Sequence, residues 1–174
     1  MIMADVFKIL FLILGSLIVT VSYWLLFEAL LPGTVERAKW QYEKRPVRVA
    51  LVGALIGMPL FIAGLALANG AALVKLIGIA LVCSLIFLGL LGSTGLARLI
   101  GTRLASAADP EFQWRRVLRG GTVLSITFVL PVIGWFFVLP LTLASGLGSL
   151  VLAWWEARRR ARSETSAARS VLPT

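Results

Sequence analysis

GGTVLSITFVLPVIGWFFVLPLTLASGLGSLVLAWW, Gly120 to Trp155, is the longest stretch of the chain without Asp, Glu, Lys or Arg. As one helix it would be ~54 Å long at ~1.5 Å per residue, against a hydrocarbon core of ~30 Å, so it has to turn back. The turn is written at Pro131-Val-Ile-Gly134. Proline lacks a backbone donor there, and glycine tolerates a turn. Arg115, Arg116 and Arg119 precede the run; Arg158, Arg159, Arg160 and Arg162 follow it. Basic residues at both ends predict that both ends are cytoplasmic. The run then reads as a hairpin that enters and leaves a membrane by one face.

The rest of the chain repeats this logic. Segment one, about residues 6–31, is long enough to span and carries no small-residue cleavage site at its far end, so it reads as a retained helix. Pro32-Gly33 ends it. In the polar connection that follows, Val35, Ala38 and Tyr42 recur at helical spacing among charged residues. That spacing predicts a short helix in the headgroup layer, with Trp40 and Tyr42 as interfacial aromatics. Segment two, about 47–68, starts after Pro46 and carries Gly53 and Gly57 as a close-approach pair. Pro59 is expected to hinge it. Asn69-Gly70 marks a tight turn.

Segment three, about 71–104, carries Gly89, Ser93, Ala97 and Gly101 every fourth residue. The stripe reads as a groove for a neighbouring helix, in this chain or in a partner. Asp109 and Pro110 are suited to cap and open a further helix. Segments four and five, about 117–130 and 135–155, are the arms of the hairpin. The first is short for a full crossing and is expected to be re-entrant or to meet a thin membrane. In the second, Pro140 predicts a bend, and Gly146 and Gly148 predict close contacts. Residues 1–157 form the membrane domain, and 158–174 read as a basic, disordered cytoplasmic tail. The expected fold is all-α, a polytopic integral membrane helical bundle of about five hydrophobic segments. Four of these span and one is a short or re-entrant arm, with the N-terminus out and the C-terminus in.

Composition agrees with this class. The chain is 59% hydrophobic and 14% charged, which leaves a soluble fold too few charged residues for its surface. Of 17 Lys and Arg, only Lys8 and Lys75 fall outside in this topology. Trp24, Trp40, Trp114, Trp154 and Trp155 fall near the inner face, as an aromatic belt would. The net charge of +9 flanks apolar runs rather than forming one soluble face, so nucleic-acid binding is not expected. Arg37, Lys39, Lys44, Arg45, Arg115, Arg116, Arg119, Arg158, Arg159 and Arg160 form the surface expected to meet anionic lipid or a cytoplasmic partner.

Little in the sequence points to catalysis. There is no histidine, and the one cysteine, Cys83, lies inside an apolar run. A serine nucleophile in a span has no visible activator. Gly89-x-x-Gly92-Ser93-Thr94-Gly95 lacks the lysine of a phosphate loop. Glu28, the one carboxylate within a predicted span, is expected to pair with Arg37 or Lys39 near the interface or simply to be exposed there. No catalytic residue, cofactor or metal site is expected. A faint echo links the two hairpins, Arg48-x4-Gly53 against Arg116-x4-Gly121, as in a duplication.

The run of glycines and prolines also carries a resemblance. Leu31-Pro32-Gly33, Arg45-Pro46, Gly53, Pro59, Ile77-Gly78, Gly101-x-Arg103, Arg119-Gly120, Leu130-Pro131-x-x-Gly134 and Gly146-x-Gly148 resemble a bacterial membrane domain associated with polymer-forming, bactofilin-like cytoskeletal proteins. The chain departs from that pattern at Ala80, where the family often has proline, and it carries no β-helical polymer domain. The resemblance implies an anchoring role in the bacterial inner membrane and no catalytic residues. The function expected is a non-catalytic membrane scaffold or accessory subunit, binding other membrane proteins and anionic lipid. The alternative is a small homo-oligomeric channel or carrier.

Overall fold

Proline punctuates the chain where helices begin. The computed structural model, which describes residues 2–104, 113–130 and 132–171, has α1 over Ile2–Leu30, α2 over Pro32–Lys44 and α3 over Pro46–Ala68. Pro32 and Pro46 open α2 and α3, where a missing N–H costs no helical hydrogen bond. Next come α4 over Ala72–Arg103, α5 over Gln113–Val129, a π-helical turn over Gly134–Val138, and α6 over Leu139–Val171. No strand occurs among the described residues. Four stretches are long and apolar enough to cross a membrane: Asp5–Leu30, Pro46–Ala68, Ala72–Arg103 and Gly134–Arg159. The short fifth arm is α5. The expected helix opening at Asp109-Pro110 and the hinge residue Pro131 lie outside the described residues.

Helix α4 is the centre, in contact with α1, α2, α3, α5 and α6. Its small residues decide who touches it where. A Cβ on Gly92 would overlap the Gly146 carbonyl of α6, and one on Gly89 would come within 2.9 Å of the Leu143 carbonyl. Ser93 instead meets Trp24 of α1, accepting a hydrogen bond from the indole Nε1 at 3.0 Å. Gly101 lies against the Arg116 backbone of α5, and Gly120 of α5 lies against the Ala97 carbonyl. The expected single groove is therefore shared among three helices of the same chain. The reason is geometric. Four residues turn a helix by ~400°, so a four-residue repeat drifts by ~40° a step and winds around the axis.

Helix α6 works the opposite way. Gly146 and Gly148 are two residues apart and point ~160° away from each other. Gly146 abuts Gly89 and Gly92 of α4, while Gly148 abuts Val49 and Gly53 of α3. α6 is thus a wedge between α3 and α4. Beyond it, α3 and α4 close directly, with Gly64 against Val82 and Gly78 against Ala68. Gly57 is looser than expected: a Cβ there would meet only the end of the Leu147 side chain, at 3.1 Å.

The arms of the second hairpin meet chiefly near the apex, where α5 packs on the π turn, and part below it. α5 packs against α4 and α1, and α6 packs against α3 and α4, so α4 stands between them. The two hairpins differ in this respect, since α3 and α4 do pack on each other. The α5–α6 apex is also short. Extending the Gly120–Ala97 contact along α5 puts Val129 level with Leu88, and Gly134 packs on the Thr127 and Phe128 backbone just below it. The apex thus stops at least about eight residues, or ~12 Å, below the start of α4.

The predicted hinges behave unequally. α3 continues as one helix through Pro59. Pro140 expresses its bend one turn upstream. Its ring would crowd the Phe136 carbonyl, and Phe136 lies in the π turn, whose wider hydrogen bonding runs from Leu139 N–H to the Gly134 carbonyl. Gly134 is buried with negative φ, so it serves close approach: a Cβ would come within 2.5 Å of the Thr127 carbonyl oxygen.

Two regions differ from the expectation. The expected short helix at 35–45 is α2, and its stripe Val35, Ala38, Gln41 and Tyr42 is buried against the bundle, so this face meets protein. Gly95 of α4 makes the room, lying against Ala38 and the Lys39 backbone. The expected disordered tail at 158–174 is instead helical to Val171. The segment is rich in Ala and Arg, good helix formers, with no Gly or Pro before Pro173.

Candidate functional site

Charged residues are scarce inside the spans, so those that are buried mark a site. Arg98 sits near the end of α4 with its side chain 6% exposed. One Nη donates to Glu28 Oε1 of α1 at 3.0 Å, and the other to Glu36 Oε2 of α2 at 2.8 Å. Lys39 Nζ lies 4.0 Å from Glu36 Oε1. The cluster ties α1, α2 and α4 together at one end of the bundle. Glu28 is as buried as Arg98, whereas the Glu36 side chain is 55% exposed. Glu28 Oε2 is buried without a hydrogen-bond partner. The expected partners of Glu28, Arg37 and Lys39, do not take it. Arg37 is exposed, and Lys39 bonds Glu36.

A second polar knot joins α2 to α6. The Tyr42 hydroxyl donates to Ser145 Oγ at 3.1 Å, and Ser149 Oγ donates to the Gly146 carbonyl at 2.8 Å. Burial pushes the Tyr42 phenol up to about 12, the hydroxyl neighbours Ser145 and Ser149 opposing this in part. Tyr42 is therefore a buried tether rather than the interfacial aromatic expected. Trp24 departs in the same way: it is fully buried against Gly121 and Ser93.

The other basic residues spread over the same end. Lys44 Nζ stands 4.4 Å from the Trp40 ring, the Arg115 guanidinium 5.6 Å from Trp114, and the Arg158 guanidinium 3.6 Å from Trp154. All three tryptophans are exposed. Arg119 Nη1 donates to the Leu104 carbonyl at 3.3 Å, and the Arg116 backbone packs on Gly101. Arg37, Arg45 and Arg159 are exposed. Arg160 lies in α6, and its side chain is outside the described residues.

Nearer mid-height, a cavity of about 680 Å³ opens between α1, α5 and the π turn. Ile13 and Thr20 of α1, Leu90 of α4, Ser125 of α5, Trp135 of the π turn and Thr142 of α6 are among its walls, and none of its lining residues is charged. Compared with protein families, with curated proteins and with solved structures, the chain matches none.

The sequence reading gathered the basic residues and packing glycines but missed the ion cluster. The signal was present: Glu28 and Arg98 each lie in the last turns of a long apolar run, where opposite charges within spans ordinarily pair. Nothing in the sequence singled out Ser125, because its significance depends on three other elements.

Proposed function

We propose that this protein is a non-catalytic membrane scaffold or accessory subunit that holds anionic lipid at its basic end and other membrane proteins along its exposed helices. The observation that carries this reading is the convergence of three exposed cation–tryptophan pairs, from α2, α5 and α6, at one end of the bundle. Tryptophan favours the membrane–water boundary, and cations beside it favour anionic headgroups by about 1 kcal/mol each. Docking of a partner is assigned to the long exposed face of α1, where Phe7, Phe11, Leu14 and Ile18 lie open. The glycine faces are already occupied within the chain. The same charge distribution supports a multi-pass placement in the bacterial inner membrane, N-terminus out and C-terminus in, and an anchoring role agrees with the bactofilin-associated resemblance.

The test is lipid retention. After mild-detergent extraction, mass spectrometry is expected to find phosphatidylglycerol or cardiolipin retained over phosphatidylcholine. The triple variant Lys44→Gln/Arg115→Gln/Arg158→Gln is expected to lose that preference, and co-purifying membrane proteins are expected with the wild-type chain. No headgroup preference would sink the lipid half of the reading. A pure homo-oligomer that conducts solute in liposomes would replace it with the second reading, a small carrier or channel. That reading is favoured by one feature, the non-α turn beside a cavity at membrane depth.

A further inference from the structure

We infer that the cavity between α1, α5 and the π turn is a binding site for an uncharged lipid bearing a carbonyl oxygen, of the diacylglycerol type. Three observations converge on that chemistry. First, the walls are almost wholly apolar and carry no charge, while the volume of about 680 Å³ lies in the range of sites that hold small molecules.

Second, the cavity has a polar group without a partner. Thr20 and Thr142 donate their hydroxyl protons to the Ser16 and Val138 carbonyls of their own helices. Ser125 also lines the cavity, and its residue is 1% exposed, yet its Oγ is buried with no hydrogen-bond partner. A serine inside a helix normally bonds the carbonyl one turn back. A buried hydroxyl left unmatched is costly, and rotation about the Ser125 Cα–Cβ bond toward the cavity would let an oxygen acceptor there satisfy it.

Third, the depth excludes a charged headgroup. The contacts of α5 and α6 with α4 put Ser125 level with Gly92 and Thr142 level with about Leu88, near the middle of α4. A phosphate at that level would lose its hydration with no cation to receive it. An uncharged ester or ketone sacrifices far less. The cavity is bordered by Trp135 and by exposed residues of α1, so such a lipid enters sideways from the bilayer. The inference is independent of the basic end, where lipid retention is measured separately.

The full-length chain in nanodiscs is irradiated with a diacylglycerol carrying a diazirine in one tail, and in parallel with a phosphatidylglycerol carrying the same tail. The diacylglycerol probe is expected to label peptides spanning residues 9–20 and 135–143, and unlabelled diacylglycerol to compete saturably. Ser125→Ala is expected to weaken that competition by about three- to ten-fold, the value of one hydrogen bond. It is also expected to leave the lipid-free melting temperature equal or higher, since it removes the unmatched hydroxyl. Equal labelling by both probes, or labelling that does not saturate, overturns the site. So does unchanged competition in Ser125→Ala. A photoreactive benzoylphenylalanine at Leu12 gives a second check: a covalent dimer there would assign the cavity to another copy of the chain, and a lipid adduct supports the proposal.

Discussion

Arg98 shows how much a single buried charge determines. Its guanidinium bonds carboxylates on two other helices, and one of those carboxylates is as buried as itself. Removing one partner of a buried pair leaves the other uncompensated, at a cost of about 3–5 kcal/mol. Arg98→Met is therefore expected to lower the unfolding free energy in detergent by about 3 kcal/mol. The double variant Glu28→Leu/Arg98→Met is expected to recover most of it, because two apolar side chains need no desolvation; a double variant no better than the single one would deny the pairing its role. Tyr42 makes a pH prediction. Its phenol is held up at about 12, above the ordinary 10 of an unfolded chain. The stability it contributes is full below pH 10 and is lost as pH rises from 10 to 12, because only the unfolded form ionises in that window. That loss is on the order of 2–3 kcal/mol. Melting curves between pH 9 and 12 are expected to fall more steeply for wild type than for Tyr42→Phe, and parallel curves would contradict the burial assigned to Tyr42. The existence of these charged and phenolic residues could be read in sequence; their partners, 70 positions apart for Glu28 and Arg98 and 103 for Tyr42 and Ser145, could not.

Among the helices, the glycines are not equivalent, and their substitution separates packing from propensity. At Gly146 a Cβ would overlap the Gly89 carbonyl, and both neighbours are backbone, which cannot swing aside. Gly146→Ala is expected to cost about 3 kcal/mol, at the upper end of overpacking losses. Gly57→Ala meets only the end of the Leu147 side chain and is expected to be near neutral. Gly33, with nothing within 4 Å, is expected to accept alanine with a gain of up to ~1 kcal/mol. Thermal melts of the three variants check this order, and a Gly146→Ala protein as stable as wild type would contradict the wedge described for α6. Small residues announce close packing in the sequence, and Gly146 and Gly148 both lie against the backbone of neighbouring helices. Which helix each one meets was hidden, because the assignment depends on the angular position of every neighbour.

The whole molecule has its N-terminus, the α3–α4 turn and the α5–α6 apex at one end, and the basic residues of α2, α5 and α6 at the other. If the bilayer is crossed as proposed, Asn69→Cys is expected to react with a membrane-impermeant maleimide from outside, and Glu43→Cys only after the inner face is opened. Cys83 is replaced by Ala in this series. Val132→Cys, at the short and apolar apex, is expected to resist the reagent from both sides. Labelling of residues 43 and 69 from the same side would refute the topology, and rapid labelling at 132 would lift the apex to the surface. Read alone, the amino-acid sequence establishes the all-helical class, the four stretches able to cross a membrane, most of the breaks between them and the clustering of basic residues. These follow from local quantities: run length against bilayer thickness, proline and glycine at breaks, and charge at segment ends. Folding in three dimensions adds that α4 lies between α5 and α6, that one face of α2 is buried, that Arg98 holds Glu28, and that Ser125 is unmatched beside a cavity. An apolar helix in lipid has little periodic signal to say which face meets protein, so those decisions rest on contacts between distant residues.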